Sequence, residues 1–354
     1  MIGDGMGFEQ VKAASLYAYG QEGSLSFEKY YRGEVTTHSA NSYLDKNHAT
    51  DSAASVTAMA TGQKVNNKVV SQKSNQPIRT ILEHLKEQGK ATGLITTVPL
   101  THATPAGFGA HANNRDNYSD IAHDYLKDTR PNIPFGAYYA NGQGITETKA
   151  KHAGYTAVKT REQMRHIVWA ADQNFIEDIF MAGLFCPDEM PWEYDYYNPH
   201  KILFFEEKKS TSLQYDTVPH LSEMTMAALR VLDNDPDGFF LMMEGGKIDW
   251  AGHDNVIEYN VFETLEFAKA FQVVLNRAEN RDDTLIPVTA DHECGRLTVI
   301  KNRGKGFMPA VFWGSKEHTG ANVPVYATGQ GAEEFVGVID NTEIATIIMK
   351  LTKE

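Results

Sequence analysis

Residues 239–253 read FFLMMEGGKIDWAGH, and the interpretation of the whole sequence starts from them. The apolar residues 239–243 predict a buried β-strand, and Glu244 stands directly at its end. Asp249 and His253 are four residues apart, so a helix here would place both side chains on one face, within reach of one metal ion. Alone, such a pair is more often a solvated pair on a helix surface. Whether this pair indicates a metal site therefore depends on which residues follow the other predicted strands.

Metal-ligand residue types also follow other strand-like runs. They are Asp4 after residues 1–2, His102 and Thr104 after 92–97, Glu244 after 239–243, and Asp291 and His292 after 284–290. In open α/β sheets, ligands bind at the carboxyl ends of the strands. Taken singly, Asp291 is equally typical of a helix cap and His292 of a core histidine. Together, these strand ends predict a metal site at one edge of a sheet.

Short β-type runs alternate with helical stretches along the chain. The strand-like runs are 35–37, 92–97, 239–243, 284–289 and 323–326, and the helical stretches fall near 51–61, 77–88, 160–172, 219–233, 255–279 and 341–351. This order predicts an α/β fold with a mostly parallel central β-sheet and helices on both faces. No strong linker divides the chain. We expect a single catalytic domain over 1–354, with an irregular insertion at about 131–215.

Composition excludes several classes of protein. Of the 354 residues, 33 are Lys or Arg and 46 are Asp or Glu, which gives a formal net charge of -13. A main role in nucleic-acid binding is disfavoured, because such proteins need basic surface. No run of about 18 apolar residues is present, so we expect no membrane span. The only cysteines, Cys186 and Cys294, allow at most one disulfide.

The N-terminus opens with the glycine-rich stretch MIGDGMG over residues 1–7. Such turns usually follow a strand, and only Met1 and Ile2 precede this one. The hypothesis is that the chain is truncated and lacks an upstream strand. No secretory signal of basic and then apolar residues is visible, but under this hypothesis its absence says little about the compartment.

Ser52 is the candidate nucleophile, in the stretch TDSAAS over 50–55. Small residues continue to Thr61, and we expect a tightly packed helix with Ser52 at its N-terminus, where an anion is favoured. A plain N-cap is the simpler interpretation of Asp51 or Ser52. No Gly-x-Ser-x-Gly elbow is present, which argues against the usual serine-hydrolase arrangement, and a serine with no base nearby would need metal coordination for activation.

Seven sequence elements recur here in the order found in one enzyme family. They are IGDGMG at 2–7, TDSAAS at 50–55, THATP at 101–105, AHANNR at 110–115, EGGKIDWAGH at 244–253, TADHE at 289–293 and HTG at 318–320. Together they resemble the alkaline phosphatase family. The resemblance implies a three-layer α/β sandwich and hydrolysis of phosphate monoesters through a phosphoserine, at a site with two Zn²⁺ and one Mg²⁺ per chain.

The resemblance also implies roles for individual residues. Ser52 resembles the nucleophile; Asp249, His253 and His318 the ligands of the first zinc; Asp4, Asp291 and His292 those of the second zinc; and Asp4, Thr104 and Glu244 those of magnesium. Arg115 matches the guanidinium that binds the phosphate oxygens, and Asp51 the carboxylate that orients it. The family further implies a homodimer and a periplasmic or secreted location.

Three positions depart from the pattern. His102 and Trp250 stand where one branch of the family has Asp and Lys, and both are expected beside the phosphate or magnesium site. Cys294 stands where a small hydroxyl residue is more usual, and it is interpreted either as an inert buried thiol or as an extra zinc-reactive group. The alternatives kept open are a phosphodiesterase of the same superfamily and a catalytically inactive protein that binds metal or phosphate.

Overall fold

The computed structural model describes residues 1–172, 180–197 and 215–352. In chain order its strands are β1 (Ile2–Gly3), β2 (Tyr31–Thr36), β3 (Gln72–Lys73), β4 (Gln76–Pro77), β5 (Ala91–Pro99), β6 (Ile133–Tyr138), β7 (Thr156–Val158), β8 (Met181–Pro187), β9 (Phe239–Gly245), β10 (Leu285–Val288), β11 (Glu293–Cys294), β12 (Leu297–Lys301), β13 (Ala310–Trp313), β14 (His318–Thr319), β15 (Val323–Gly329) and β16 (Gly337–Asp340).

The helices cover most of the segments between these strands. They are α1 (Phe8–Tyr19), α2 (Ser52–Thr61), α3 (Ile81–Glu87), α4 (Ala103–Gly109), α5 (Tyr118–Lys127), α6 (Glu147–His152), α7 (Arg161–Asp172), α8 (Glu193–Tyr197), α9 (Leu221–Leu232), α10 (Lys247–Asp254), α11 (Ile257–Ala278) and α12 (Asn341–Leu351). Within the described ranges, none of them combines the length and the apolar character needed to cross a membrane.

The main sheet has six parallel strands in the order β1-β9-β5-β6-β8-β7. β5 is buried along its whole length, as expected for a parallel strand covered on both faces. The helices that flank the sheet form two packed groups, one around α9 and α11 and the other around α2, α4 and α12. The predicted α/β fold with a mostly parallel central sheet is confirmed.

A second sheet of four strands, in the order β10-β15-β2-β16, was not expected from the sequence. It is mixed, since β15 runs antiparallel to both β10 and β2, while β16 is parallel to β2. Thr289 forms a parallel bridge to Ile2 of β1. The end of β10 therefore lies next to the main sheet, and the residues that follow it reach the same edge.

Range 131–215 is more regular than the sequence analysis expects. It supplies three of the six strands of the main sheet, β6, β7 and β8. The strand pattern was missed because β6 and β8 read IPFGAY and MAGLFCP, where small residues and prolines replace β-branched ones. Gly136 shows why a small residue is needed, since a Cβ there would lie 2.8 Å from Cγ2 of Thr96. Residues 173–179 and 198–214 of this range lie outside the described residues.

Candidate active site

Strand ends and the helices that follow them bring the site residues together. The parallel register sets Glu244, near the end of β9, beside Thr96 of β5. Asp4 follows β1, the neighbour of β9 on the other side. The other members lie on segments that leave the same edge: Thr104 on α4, Asp249 and His253 on α10, Asp291 and His292 after β10, and His318 on β14. These eight residues, Asp4, Thr104, Glu244, Asp249, His253, Asp291, His292 and His318, are called the strand-end cluster below.

Ser52 is the first residue of α2 and points into this cluster. Asp51 is the N-cap residue of the helix, and its Oδ1 accepts hydrogen bonds from the backbone N–H groups of Ala54 and Lys68, each at 3.0 Å. The helix consists of small residues and is buried throughout. Oγ of Ser52 lies 3.2 Å from Nε2 of His292. The helix N-terminus and a histidine of the cluster therefore meet at the predicted nucleophile.

His292 stands at the centre of the cluster. Its Nε2 lies 3.1 Å from Oδ2 of Asp291 and 3.6 Å from Oδ1 of Asp4. All three side chains are fully buried. Asp4, Asp249 and His292 can also offer one ligand atom each within 4.8 Å of one another. The expected second-zinc set is thus assembled, and Asp249 lies close to it.

A second group of ligand atoms surrounds Asp249. Its Oδ2 is 3.2 Å from Nε2 of His253, and its Oδ1 is 3.4 Å from Nε2 of His318. The two histidine Nε2 atoms are themselves 3.1 Å apart. Burial opposes ionisation here, but the adjacent His318 and His253 hold the pKa of Asp249 well below its usual range. One carboxylate and two imidazoles are a donor set that suits zinc.

A third group combines Asp4 and Glu244 with residues of α4. Oε2 of Glu244 accepts a hydrogen bond from the hydroxyl of Thr96. Thr104 is fully buried, and its Oγ1 has no hydrogen-bond partner. Asp4, His102 and Glu244 can each offer a ligand atom within 4.8 Å of the other two. His102 therefore stands closer to the expected magnesium position than the oxygen-only ligand set implies.

The buried polar atoms of the strand-end cluster fit bound cations. Those without a hydrogen-bond partner are both carboxyl oxygens of Asp4, Oε1 of Glu244, Oδ1 of Asp249, Oδ2 of Asp291, Oγ1 of Thr104 and Nδ1 of His292. Burial, reinforced by Asp291 and Asp249, raises the pKa of Asp4 well above its usual range, and burial raises the pKa of Glu244 to about 7. Unpaired buried carboxylates are costly. Divalent cations would remove that cost.

Arg115 lies beside the nucleophile helix. Its Nη1 is 3.1 Å from Oδ2 of Asp51, and its Nη2 is 3.1 Å from Nε2 of His102. Burial, together with the charge of Arg115, lowers the pKa of His102 to about 3, so its ring is neutral and can accept this hydrogen bond. Trp250 makes an edge contact with the His102 ring, with centroids 6.1 Å apart. A guanidinium fixed in this way can bind phosphate oxygens.

All the residues expected at the site from the sequence are thus close together in space. Sequence reasoning missed Thr96, whose hydroxyl bonds Glu244 from inside a strand. A polar threonine run, Thr96-Thr97, at the end of a buried strand was the available signal. The role of Cys294 was left open between an inert thiol and a zinc-reactive group, and the residue lies in one group with Asp249, His253 and His318.

Comparison with known proteins agrees with this arrangement. A family model for alkaline phosphatase matches residues 1–138, 130–308 and 301–353. Alkaline phosphatase 3 of Bacillus subtilis (strain 168) is 30% identical, over 99% of this chain and 87% of that protein.

Two solved structures are also similar. The cold-active alkaline phosphatase of the psychrophile Shewanella sp. has a TM-score of 0.81 and 27% identity, covering 99% of this chain and 98% of that one. A variant of the alkaline phosphatase of the Antarctic bacterium TAB5, with a histidine replaced by glutamate, has Mg bound in its M3 site; its TM-score is 0.77 and its identity 26%, over 99% of this chain and 96% of that one. The fold, the motifs along the whole chain and these similarities agree: the chain belongs to the alkaline phosphatase family.

Proposed function

We propose that this chain hydrolyses phosphate monoesters to an alcohol and inorganic phosphate, with Ser52 as the nucleophile. Membership of the family supports phosphoester hydrolysis, and the family is metal-dependent. One observation carries the finer proposal: Oγ of Ser52, at a helix N-terminus, lies 3.2 Å from His292 within a buried cluster of unpaired carboxylates. Such a cluster has no evident structural use without cations.

The proposed cofactors are two Zn²⁺ and one Mg²⁺. Asp249, His253 and His318 would hold the first zinc; Asp4, Asp291 and His292 would hold the second; and Asp4, Thr104 and Glu244 would hold magnesium. The ions supply positive charge that favours an ionised serine hydroxyl and a bound phosphate dianion. Four carboxylates against three divalent ions leave a net charge of about two positive at the site, from ordinary ionisation states. An acidic chain can therefore still bind an anionic substrate.

The residues of the chain have distinct parts in the reaction. Oγ of Ser52 attacks phosphorus in line, an Oγ–P bond forms, the ester P–O bond breaks, and the alcohol leaves with a proton. Water then displaces Ser52 from the phosphoserine, which releases inorganic phosphate and restores the hydroxyl. Arg115 binds the non-bridging oxygens through both steps, and Asp51 fixes its orientation. The N-terminus of α2 favours the added negative charge on Ser52.

Hydrolysis of p-nitrophenyl phosphate at alkaline pH tests the proposal. We expect activity that is lost with a chelator and recovered with Zn²⁺ plus Mg²⁺. The Ser52→Ala variant should bind the same metals but lose at least about 10³-fold in kcat, because it removes the hydroxyl proposed to form the intermediate. Ser15→Ala removes a buried hydroxyl of α1 that bonds the backbone of Gln21 and Ser24, and it serves as the control. Full activity in metal-loaded Ser52→Ala would refute the assignment of the nucleophile.

The same assay separates the proposed monoesterase from the alternatives. A phosphodiesterase would prefer bis(p-nitrophenyl) phosphate to p-nitrophenyl phosphate. A metal- or phosphate-binding protein without turnover would retain the ions and show no phosphorylation of Ser52 by mass spectrometry.

We also propose that the chain forms a homodimer. Apolar side chains are exposed around the hairpin of β12 and β13, where Ile300, Phe307 and Phe312 are 64%, 66% and 61% exposed. Exposed apolar groups this close in sequence are typical of an interaction surface. Sedimentation velocity should show a dimer that Phe312→Glu dissociates. A periplasmic or secreted location stays part of the proposal, and fractionation of cells that express the natural gene would test it.

A further inference from the structure

Cys294 is a buried thiol that the proposed mechanism does not use. It is free, and its side chain is fully buried at the edge of the strand-end cluster. Asp249, His253, His318 and Cys294 each offer one ligand atom, and these four atoms all lie within 4.8 Å of one another. Sulfur, nitrogen and carboxylate oxygen together are a donor set for zinc.

Three features of the backbone fix the thiol in this place. β11 and β14 are antiparallel, and Cys294 is paired directly with His318, so the two side chains are cross-strand neighbours. Helix α10, which carries Asp249 and His253, approaches closely because residue 252 is glycine. A Cβ at Gly252 would lie 3.1 Å from the sulfur of Cys294. The backbone of Cys294 is fixed as well, because its N–H donates to the carbonyl of Gly5 and its carbonyl accepts a hydrogen bond from Nε2 of Gln10.

An independent observation indicates that a ligand is needed at this point. Oδ1 of Asp249 is buried and accepts no hydrogen bond, although Nε2 of His318 lies 3.4 Å from it. A buried charged oxygen without a hydrogen-bond partner is costly unless a cation occupies the space that it faces. The thiol therefore lies next to a carboxylate that has one oxygen without a hydrogen-bond partner.

We propose that the Cys294 thiolate is a fourth protein ligand of the metal ion held by Asp249, His253 and His318. The inference rests on the proposed function, because that function supplies the ion. Coordination releases the thiol proton to solvent, as metal binding to cysteine generally does. Cys294 then favours thiophilic ions such as Zn²⁺, Co²⁺ and Cd²⁺ over Mg²⁺ and Mn²⁺ at this position.

The ligand set has a consequence for the site. Structural zinc sites have four protein ligands, whereas catalytic sites keep one position for water or substrate. With Cys294 bound, an ion held by Asp249, His253 and His318 would have four protein ligands. Binding of phosphate then requires either a fifth ligand position or release of the sulfur. Cys294 is therefore proposed as a direct ligand, and its main effect is expected on metal affinity and metal selectivity.

Cobalt substitution tests the proposal by spectroscopy rather than by activity. The full chain is stripped of metal and loaded with Co²⁺, whose visible d–d bands report binding. We expect an additional sulfur-to-cobalt charge-transfer band in the near ultraviolet. The Cys186→Ser variant, which removes the buried thiol of β8, leaves Cys294 as the only cysteine and should keep this band. Cys294→Ser should lose the band and retain the d–d bands.

A competition titration with a chromophoric chelator gives a second readout. Cys294→Ser should bind its weakest-held zinc at least about 10-fold less tightly than Cys186→Ser does, since even groups outside the coordination shell are worth that much. Visible bands without a sulfur band in Cys186→Ser would overturn the proposal and leave the proposed function intact. This outcome does not depend on whether Cys294→Ser folds. Absence of any Co²⁺ or Zn²⁺ binding would overturn the metal centre and this inference together.

Discussion

Two buried acidic clusters of this chain have similar composition and different hydrogen bonding. One is the strand-end cluster. The other lies between α8, α9 and α11 and consists of Glu193, His220, Glu263 and Glu266; it is called the α11 cluster below. Glu193, His220 and Glu266 can also offer three ligand atoms within 4.8 Å of one another. Residue types and distances alone therefore do not distinguish the two.

The acids of the α11 cluster have partners within the protein. Both oxygens of Glu193 lie within 3.0 Å of Nδ1 of His220, and Glu263 accepts the backbone N–H of Glu193 at 2.9 Å. Glu266 accepts the N–H of Ser222 at 2.9 Å and the ammonium of Lys269 at 3.1 Å. In the described part of the chain, none of the carboxyl oxygens of these three glutamates is a fully buried atom without a hydrogen-bond partner. The hydrogen-bond partners of the carboxyl oxygens, rather than the number of acidic residues, distinguish a structural cluster from a cation site.

Replacing one acidic residue in each cluster should affect the phosphatase activity very differently. Asp249→Asn should lower kcat/KM for p-nitrophenyl phosphate by at least about 10²-fold. The substitution removes a carboxylate proposed to hold a zinc ion, and the charge of that ion would stabilise the transition state. Glu193→Gln keeps the shape of its side chain and should stay within about 3-fold of wild type, since it lies outside the reacting centre. Steady-state kinetics on both metal-loaded variants would measure this. Equal losses in the two would show that the clusters act as one site.

Zinc should stabilise the fold only through the strand-end cluster. At a free concentration of 100 times Kd, each ion that binds the native state alone contributes about 2.7 kcal/mol to the free energy of unfolding. Urea unfolding with Zn²⁺ and with chelator should show this gain in wild type and in Glu266→Gln. Asp249→Asn should lose part of it. A zinc-dependent gain that falls in Glu266→Gln would identify the α11 cluster as a second metal site.

Much of this arrangement could be predicted from the sequence. The strand-end residues follow apolar runs that parallel pairing brings to one edge, as Glu244 does after residues 239–243. The stretch with Ser52 combines small residues with an N-cap, and it is the buried helix α2. These features depend on local pattern and on a general rule of α/β sheets, so structure was not needed to place them.

The remaining features depend on contacts between distant segments. The pairing of Cys294 with His318 follows from a two-residue ladder of β11 and β14 that has no pattern of its own. The α11 cluster was missed for the same reason, since Glu193 and Glu263 are far apart in sequence and lie on separate helices. The aromatic stretch near 185–197 likewise packs on a distant segment, since Trp192 stacks on Tyr259 of α11 with ring centroids 4.5 Å apart.

Substitution of Lys247 tests how much a buried cation contributes to stability beside the acidic residues of the α11 cluster. Its side chain is fully buried, its Nζ lies 3.7 Å from the centre of the Trp192 ring, and it donates to the carbonyl of Met190. Lys247→Met should lower the free energy of unfolding by about 2 kcal/mol, the value of a desolvated cation–π contact. Lys269→Met removes a half-exposed ammonium and should cost less than about 1 kcal/mol. Urea denaturation in chelator would compare them, and equal costs would argue against a special role for the buried lysine.

Glu263 should make the α11 cluster sensitive to pH even without metal. Burial raises the pKa of Glu263 to about 8, despite the opposing charge of Lys247. Between the pKa of an unfolded glutamate, about 4.3, and that value, the folded state holds the proton and the unfolded state does not. Stability contributed by the protonated group is therefore complete below the lower pKa and falls as pH rises through the upper one.

Glu263→Gln keeps the carbonyl that accepts the Glu193 N–H and removes the titration. The stability of this variant relative to wild type should increase from pH 5 to pH 8, by no more than about 1.4 kcal/mol per pH unit. Urea unfolding in chelator at each pH measures the difference, with the exposed Glu279→Gln as the control. Parallel curves for wild type and Glu263→Gln would mean that Glu263 is ionised in the fold. The α11 cluster would then carry a buried charge as the strand-end cluster does, and hydrogen bonding alone would no longer distinguish them.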